Sequence, residues 1–301
     1  MMRALHLLTP PPWPEYALLD TGNGAKLERF GPYTLVRPET QAIWRPTLPE
    51  QVWQQADAVF TKTKGGEESP GQWFQRRPLP DQWPLHANNL TFWVRLTPFR
   101  HTGVFPEHSA HWAWLERHIA SRPAPTALVL FGYTGLSSLF AAERGAHVTH
   151  VDASKPALRW AQENQHLSGL DARPIRWLVD DVGKFIAREL RRGRRYDLIL
   201  LDPPVFGRGP QGEIWRLHEQ LTGLVEQCVQ LLSEQPLGLL LSAYATSMSA
   251  LTLHNVLAAA LTGRVGRISA GELVLQEQPA GRLLPAALYA CWSSGAPPHT
   301  S

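Results

Sequence analysis

The segment from residue 127 to residue 152 restricts the fold more than any other part of the chain. It consists of an apolar run (ALVLF), a glycine turn (GYTG), a helix-forming stretch (LSSLFAAERG) and a second apolar run that ends in Asp152. This order predicts a strand, a turn, a helix and a strand. Such a unit suits a nucleotide-like ligand. Glycine admits close approach of the backbone, the helix N-terminus offers N–H groups, and the final carboxylate can bind two ribose hydroxyls.

The same alternation of strands and helices continues towards the C-terminus. We predict strands at 127–131, 147–151, 174–179, 196–201 and 237–242, helices at 136–144, 155–167, 182–192, 213–232 and 250–261, and a final hairpin of 265–276 with 286–292. Apolar strands that alternate with helices indicate a parallel sheet covered on both faces. The hairpin is expected at the edge of that sheet.

The N-terminal third of the chain follows a different pattern. Short strands of one small sheet are predicted at 16–20, 26–30, 33–37, 58–62, 72–76 and 90–96. Dense prolines limit the length of strands and indicate an irregular β domain. Tryptophans are frequent in the first half of the chain, and we expect most of them to pack in a core rather than to stack on bases.

Composition and charge exclude several classes of protein. The 301 residues are 44% hydrophobic and 18% charged, which is typical of a folded globular protein. The net charge of +3 permits a polyanionic partner such as RNA without requiring one. Two cysteines exclude a disulfide framework, and the histidines at 101, 108 and 111 lack a familiar metal-ligand spacing, so no metal is expected. Without a signal peptide or a membrane-spanning segment, the sequence predicts a cytoplasmic protein.

Acidic residues follow three consecutive predicted strands. Asp152 follows the second strand, Asp180 and Asp181 follow the third, and Asp202 follows the fourth. In an open parallel sheet these strand ends lie along one edge, next to the glycine turn. We expect Asp152 to bind a ribose, Asp181 or its neighbour an exocyclic amine, and Asp202 a cationic or hydroxyl group. The alternative for each is a helix N-cap.

The sequence Asp202-Pro203-Pro204-Val205-Phe206 is the most specific signal in the chain. Two prolines after a strand-end aspartate fix φ and hold an extended loop. Its carbonyls could then accept hydrogen bonds from an amino group while Phe206 stacks on a planar substrate. A purely structural turn is the alternative.

These motifs, in this order, resemble those of class I S-adenosyl-L-methionine-dependent methyltransferases. Within that superfamily they are similar to the ribosomal RNA large-subunit methyltransferase I type and its bacterial relatives. The resemblance covers residues 99–293 and rests on five short motifs. They are Thr102-Gly103-Val104-Phe105, Phe131-Gly132-Tyr133-Thr134-Gly135, Val151-Asp152-Ala153-Ser154, Asp180-Asp181-Val182 and Leu201-Asp202-Pro203-Pro204.

The resemblance implies an α/β, Rossmann-like sheet of seven strands in the order 3-2-1-4-5-7-6. We expect a small β-rich domain at 1–98 and the methyltransferase domain at 99–301. The transfer centre would be formed by Asp202, Pro203, Pro204 and Phe206. S-adenosyl-L-methionine would contact Thr102, Gly103, Phe105, Phe131, Gly132, Tyr133, Thr134, Gly135, Asp152, Ala153, Asp180, Asp181 and Asp202.

One position departs from relatives that methylate cytosine at C5. Those enzymes use a cysteine after the fifth strand to attack C6, and here Ala243 stands at that position. Neither Cys228 nor Cys291 is predicted at a comparable strand end. A base with an amino group needs no nucleophile from the protein, so the sequence favours methyl transfer to such a base in RNA.

Three other hypotheses remain open. The acceptor could be a small molecule or a protein, or the chain could be a non-catalytic module that binds nucleotides or RNA. A dehydrogenase is disfavoured because the turn lacks the full G-x-G-x-x-G pattern. The arginine run at 191–195 could contact phosphates, but a solvated helix end is the commoner role of such a run.

Overall fold

The computed structural model describes residues 6–62, 71–244, 246–279 and 281–295. Two compact units are formed. The larger unit takes in the described residues of segments 1–8, 111–273 and 287–301. The smaller unit takes in those of segments 9–110 and 274–286.

The described residues form strands and helices that we number in chain order. The strands are β1 (His6–Leu8), β2 (Tyr16–Gly22), β3 (Ala25–Phe30), β4 (Tyr33–Pro38), β5 (Ala58–Lys62), β6 (Gly71–Gln75), β7 (Trp83–Ala87), β8 (Leu90–Val94), β9 (Thr126–Leu130), β10 (His147–Asp152), β11 (Ile175–Val179), β12 (Leu198–Leu201), β13 (Phe206–Arg208), β14 (Ile214–Arg216), β15 (Gly238–Ala243), β16 (Arg267–Gln276) and β17 (Leu283–Ser293). The α-helices are α1 (Glu50–Gln54), α2 (Trp112–Ala120), α3 (Leu136–Glu143), α4 (Lys155–Leu167), α5 (Val182–Arg191), α6 (Leu217–Leu231) and α7 (Ala250–Ala260), and a 3₁₀ helix spans Pro106–His111.

The large sheet has eight strands in the order β1-β16-β17-β15-β12-β9-β10-β11. Its central strands are parallel, and β17 runs antiparallel to β15. Numbered from β9 as strand 1, seven of these strands lie in the order 3-2-1-4-5-7-6. The eighth, β1, pairs with β16 at the edge and has only three residues, too few to show a pattern in the sequence.

Strand burial explains why the sequence of this unit is so apolar. All four residues of β12 are buried, because α-helices cover both faces of a doubly wound parallel sheet. On one face Leu128 and Leu201 belong to the same core as Phe185 of α5 and Leu221 of α6. Because the central strands are parallel, their carboxyl ends lie at one edge of the sheet and their amino ends at the other.

The smaller unit contains a five-stranded sheet, β2-β3-β4-β5-β6, and a separate two-stranded sheet, β7-β8. The prediction that residues 72–76 and 90–96 belong to one sheet is therefore wrong. Strand β7 was missed because Pro84 lies within it, and it pairs with β8 alone. None of the eight tryptophans between residues 13 and 114 is exposed, in agreement with the expected packing role.

The predicted division of the chain into functional domains at residues 98 and 99 stays a prediction. The compact units follow other limits, because residues 99–110 and 274–286 belong to the smaller unit and β1 belongs to the larger one. Helix α2 begins at Trp112 and buries Trp112, Leu115 and Ile119 on one face.

Candidate active site

The carboxyl ends of four neighbouring strands meet at one edge of the large sheet. Backbone hydrogen bonds join them there, from Gly132 N to the Val151 carbonyl at 3.3 Å and from Asp180 N to the Asp152 carbonyl at 3.0 Å. Asp202 N likewise donates to the carbonyl of Leu130 at 3.3 Å. The glycine turn and the strand-end aspartates therefore lie side by side, as the strand order requires.

The turn between β9 and α3 has an unusual backbone. Phe131 and Tyr133 have positive φ values of 57° and 49°, a conformation that costs side-chain-bearing residues about 1–3 kcal/mol. Gly135 follows at 86° as the N-cap of α3. The amide of Asn164 on α4 donates to the carbonyl of Thr134 at 3.0 Å and helps to hold this conformation.

Packing, in addition to ligand approach, explains why this turn contains glycine. A Cβ atom on Gly132 would lie 2.4 Å from the ring of His150, and one on Gly135 would lie 2.8 Å from Cβ of Ala161. The His150 ring is fully buried, and its Nδ1 lies 2.9 Å from Oγ of Ser138. Burial lowers the pKa of His150 to about 3, so this ring is neutral at physiological pH. The His150 ring packs against Gly132 and so supports the turn.

Asp152 is held in place by two backbone N–H groups. Tyr133 N donates to Oδ2 at 2.8 Å and Ser154 N donates to Oδ1 at 2.7 Å. Each carboxylate oxygen keeps a further lone pair, which suits a diol ligand. Burial raises the pKa of Asp152, the two backbone hydrogen bonds oppose that shift, and the nearby Asp202 carboxylate adds to it.

The other acidic positions have structural partners. Asp181 is the N-cap of α5 and accepts a hydrogen bond from Lys184 N at 2.9 Å, which is the alternative that the sequence left open. Asp180 forms an ion pair with Arg188. Ala153 is half-buried and precedes Ser154, which caps α4. A role for these three residues in cofactor binding stays a prediction.

The Asp202 loop is tied to its surroundings at several points. Ser242 at the end of β15 donates to Oδ1 of Asp202 at 2.8 Å. The indole of Trp215 donates to the carbonyl of Pro204 at 2.7 Å, and Leu217 N donates to the carbonyl of Val205 at 3.0 Å. Pro203 is buried and Pro204 is exposed. These bonds give the loop the fixed geometry that the prolines predict.

A β-hairpin follows this loop, and it corrects one prediction. Residues 213–216 were predicted as the start of a helix, but 214–216 form β14, which pairs with β13, and α6 begins at Leu217. The register places Phe206 opposite Arg216 and Arg208 opposite Ile214. Those four side chains share one face and are all exposed. Trp215 lies on the other face, with its ring 5.2 Å from that of Phe131.

Three predicted cofactor residues belong to the smaller unit. Thr102 is fully buried, and within the described part of the chain its hydroxyl has no hydrogen-bond partner. Gly103 has a φ of 87°, and the ring of Phe105 stacks on His108 with 5.7 Å between centroids. Their proposed contact with the cofactor stays a prediction.

The described residues contain no group of three or more histidine, cysteine, aspartate or glutamate side chains that could hold a metal ion. Nor is any helix among them long and apolar enough to cross a membrane.

Comparison with known proteins identifies the family. The family model of S-adenosylmethionine-dependent methyltransferases matches residues 39–246, more than two thirds of the chain. The chain belongs to this family. A crystal structure of the SAM-dependent methyltransferase from Agrobacterium tumefaciens is 45% identical, with a TM-score of 0.92 over 96% of this chain and 94% of that one.

Curated relatives of this methyltransferase act, by name, on ribosomal RNA. Ribosomal RNA large subunit methyltransferase K of Neisseria meningitidis serogroup B is 27% identical over 70% of this chain and 61% of that protein. Ribosomal RNA large subunit methyltransferase K/L of Hahella chejuensis is 36% identical over 58% of this chain and 24% of that protein. The chain thus spans less than two thirds of the length of these two relatives.

Neither cysteine of this methyltransferase is placed as a nucleophile. Cys228 lies within α6, and burial strongly raises the pKa of its thiol. Cys291 on β17 pairs with Leu240, three residues before Ala243 at the end of β15, and burial raises its pKa to about 12. Ala243 itself is buried at that strand end.

Four residues that support this candidate site were missed in the sequence analysis. His150 and Ser138 lie beneath the turn, Ser242 binds Asp202, and Trp215 binds the Pro204 carbonyl. Ser242 could have been found, since it ends the predicted fifth strand. The others carry no signal in the sequence, because their roles arise only when α3, β10 and the hairpin come together.

Proposed function

We propose that this methyltransferase transfers the methyl group of S-adenosyl-L-methionine to the amino nitrogen of a base in ribosomal RNA. The observation that carries this proposal is the outer face of the hairpin that follows Asp202. Phe206 and Ile214 are 47% and 50% exposed, and Arg208 and Arg216 share their face. An exposed aromatic ring beside arginines is suited to unpaired nucleotides, whose bases stack and whose phosphates attract cations.

The residues at the sheet edge fit the cofactor. The two remaining lone pairs of Asp152 suit the two ribose hydroxyls, and the backbone hydrogen bonds from Tyr133 and Ser154 keep the carboxylate oriented. The glycine turn would face the methionine portion. Asp181 keeps acceptor capacity for an exocyclic amine, because its cap bond from Lys184 uses one oxygen.

The cofactor supplies a methyl group on a sulfonium, which is activated towards direct attack. In the transfer, the C–S bond would break as the N–C bond forms, S-adenosyl-L-homocysteine would leave, and the proton lost by the amino nitrogen would pass to solvent. Asp202, oriented by Ser242, would accept a hydrogen bond from that amino group and align its lone pair. No protein nucleophile is needed, which is consistent with Ala243 and with the high pKa of both thiols.

Ribosomal RNA as acceptor would also place the protein in the cytoplasm, as the sequence predicts. The names of the relatives support the substrate class. The exposed aromatic and arginine side chains of the hairpin are the reason to propose the same substrate class for this chain.

The test uses purified protein and S-adenosyl-L-methionine with a tritiated methyl group. Total RNA, total protein and a small-molecule extract are prepared from cells that lack this protein, so that acceptor sites are unmethylated. We expect label in ribosomal RNA, on a base nitrogen after nuclease digestion. Label in the protein or small-molecule fraction alone would overturn the proposal, and so would label at cytosine C5.

A matched pair of variants tests the hairpin. Phe206→Ala should raise KM for the RNA by about tenfold, since stacking of one base contributes about 1–3 kcal/mol. Leu251→Ala is the control, because Leu251 is a 48% exposed apolar residue on α7. Equal KM values for the two variants would remove Phe206 from the substrate site.

A further inference from the structure

The amino ends of β9, β10 and β11 border a cleft of about 450 Å³. It lies at the opposite edge of the sheet from Asp152 and Asp202. Its lining includes Arg176 at the start of β11, Arg194 and Arg195 after α5, and His147 at the start of β10. Glu189 is the acidic residue among the lining side chains. Three arginines and one acidic residue therefore line the same cleft.

The carboxylate of Glu189 already has its own partners. It is almost completely buried, and it accepts hydrogen bonds from the Tyr196 hydroxyl at 2.8 Å and from Arg192 Nη1 at 3.2 Å. Arg176 lies farther from it, at 3.9 Å, with its side chain 50% exposed. Glu189 thus does not neutralise Arg194 or Arg195.

Capping of the helix end does not account for these arginines either. The last carbonyls of α5 accept backbone bonds from Gly193 N, which reaches Leu190 at 3.0 Å, and from Arg194 N, which reaches Glu189 at 3.0 Å. Gly193 has a φ of 66°, so this is a closed Schellman end. Within the described part of the chain the Arg194 guanidinium forms no hydrogen bond or ion pair, and Arg195 binds only the carbonyl of Arg194.

A cleft that gathers like charges concentrates the positive potential, and an anion inside it relieves their repulsion. Arginine is suited to phosphate, because its planar fork can donate two parallel hydrogen bonds. Five residues of β9 separate the two edges of the sheet, a distance of about 16 Å. An RNA strand that reaches the transfer centre with one base could cover that distance with neighbouring nucleotides.

We propose that this cleft binds a backbone phosphate of the RNA substrate, away from the methylated base. The inference rests on the proposed function, because it assumes that the substrate is RNA. Arg194 and Arg195 would hold the phosphate, and Arg176 and His147 would line its other side. The contact would position the RNA without reading its sequence, as phosphate contacts do.

The test compares two double variants with the same change in net charge. Arg194→Ala/Arg195→Ala removes the cleft arginines, and Arg159→Ala/Arg267→Ala removes two exposed arginines elsewhere in the larger unit. Binding of a fluorescent, mixed-sequence RNA is measured by anisotropy over a salt series. The cleft variant should bind about tenfold more weakly than the control variant, and its salt slope should fall by about 1. Circular dichroism confirms that both variants are folded.

Three outcomes distinguish a failure of the cleft proposal from a failure of the proposed function. Equal affinity and equal salt slope in the two variants would overturn the cleft proposal. Protection of the wild-type protein by inorganic phosphate in a thermal melt, lost in the cleft variant while RNA binding stays unchanged, would overturn it in favour of a free-phosphate site. Absence of methyl transfer from the wild-type protein to RNA would instead refute the proposed function. If both proposals hold, the cleft variant raises KM for RNA, keeps kcat and binds the cofactor normally.

Discussion

At the carboxyl edge of the large sheet, β10 and β12 lead into Asp152 and Asp202, whereas the amino edge of the neighbouring strands is lined by Arg176, Arg194 and Arg195. Helix α5 connects the two edges, with Asp181 as its N-cap and its arginines at the C-terminal end. Part of the contrast follows from the helix dipole, which favours acids at the N-terminus and bases at the C-terminus.

The comparison of the two edges separates the charged residues that cap helices of the doubly wound fold from those that do not. Helices of such a fold begin at the carboxyl edge, so acidic N-caps collect there, and Asp181 is one of them. Asp152 and Asp202 cap no helix. At the other edge, backbone hydrogen bonds close the end of α5, so the side chains of Arg194 and Arg195 are not needed to cap it. Asp152, Asp202, Arg194 and Arg195 therefore have no helix-capping role, and we assign them to ligands; Asp181 combines the cap with its proposed ligand contact.

The largest expected effect tests whether chemistry is confined to the carboxyl edge. Asp202→Ala should lower kcat by about a hundredfold or more, because it removes the acceptor that aligns the amino group. The variant should still bind S-adenosyl-L-homocysteine, as measured by calorimetry. Ser242→Ala keeps the carboxylate but removes its 2.8 Å hydrogen bond, so a smaller loss of about tenfold is expected. Retained turnover in Asp202→Ala would contradict the assignment.

The second prediction concerns Asp152 and pH. Asp152→Ala should weaken cofactor binding by about tenfold to a hundredfold, since hydrogen bonds to a charged group contribute about 1.5–3 kcal/mol. The ionised carboxylate is the form that accepts two hydroxyls, and its pKa is raised. Wild-type affinity should therefore fall with decreasing pH sooner than for an ordinary aspartate, whose pKa is about 3.9.

Calorimetric titration of the cofactor between pH 4.5 and 8 measures this pH dependence of affinity. Asp152→Asn is the control that lacks the titrating group. A pH profile of the wild type that matches that of Asp152→Asn would exclude Asp152 from the ribose site. The cleft variant of the amino edge should follow the wild-type profile.

A third prediction compares one glycine from each edge. Gly132→Ala brings a Cβ atom to 2.4 Å from the His150 ring, so we expect a loss of about 1–3 kcal/mol in the free energy of unfolding. Gly193→Ala meets no atom within 4 Å, and only its φ of 66° is unfavourable, which costs about 1 kcal/mol. Urea unfolding measures both. A larger loss for Gly193→Ala would show that the turn can adapt.

The smallest effect is expected for the link between α5 and the hairpin. Lys184 forms an ion pair with Glu213, and its hydrogen bond lowers the pKa of Glu213 to about 2. Because the folded-state pKa is depressed, the contribution is present above the ordinary value of 4.5 and is lost as pH falls towards 2. The Lys184 side chain is 51% exposed, so solvent screens the pair and Glu213→Gln should leave the melting temperature at pH 7 nearly unchanged. A marked drop would mean that the hairpin depends on this contact.

Much of the larger unit could be predicted because its strands are apolar and its helices have clear limits. Helix α4 was predicted at 155–167 and is observed at Lys155–Leu167. The error at residues 213–216 has a physical reason. Strands β13 and β14 have three residues each, and Trp215 is held there by the Pro204 carbonyl and the Phe131 ring, contacts that leave no periodic pattern.

The sequence by itself determined the α/β alternation and the candidate cofactor motif, because hydrophobic period, glycine turns and strand-end aspartates are local properties of the chain. Only the tertiary structure decided which of those aspartates cap helices. It also decided that the His150 ring leaves no room for a side chain at position 132, and that arginines from separate segments line one cleft. Those properties depend on side chains distant in sequence, such as Arg176 and Arg195, which are brought together only when the parallel strands pair.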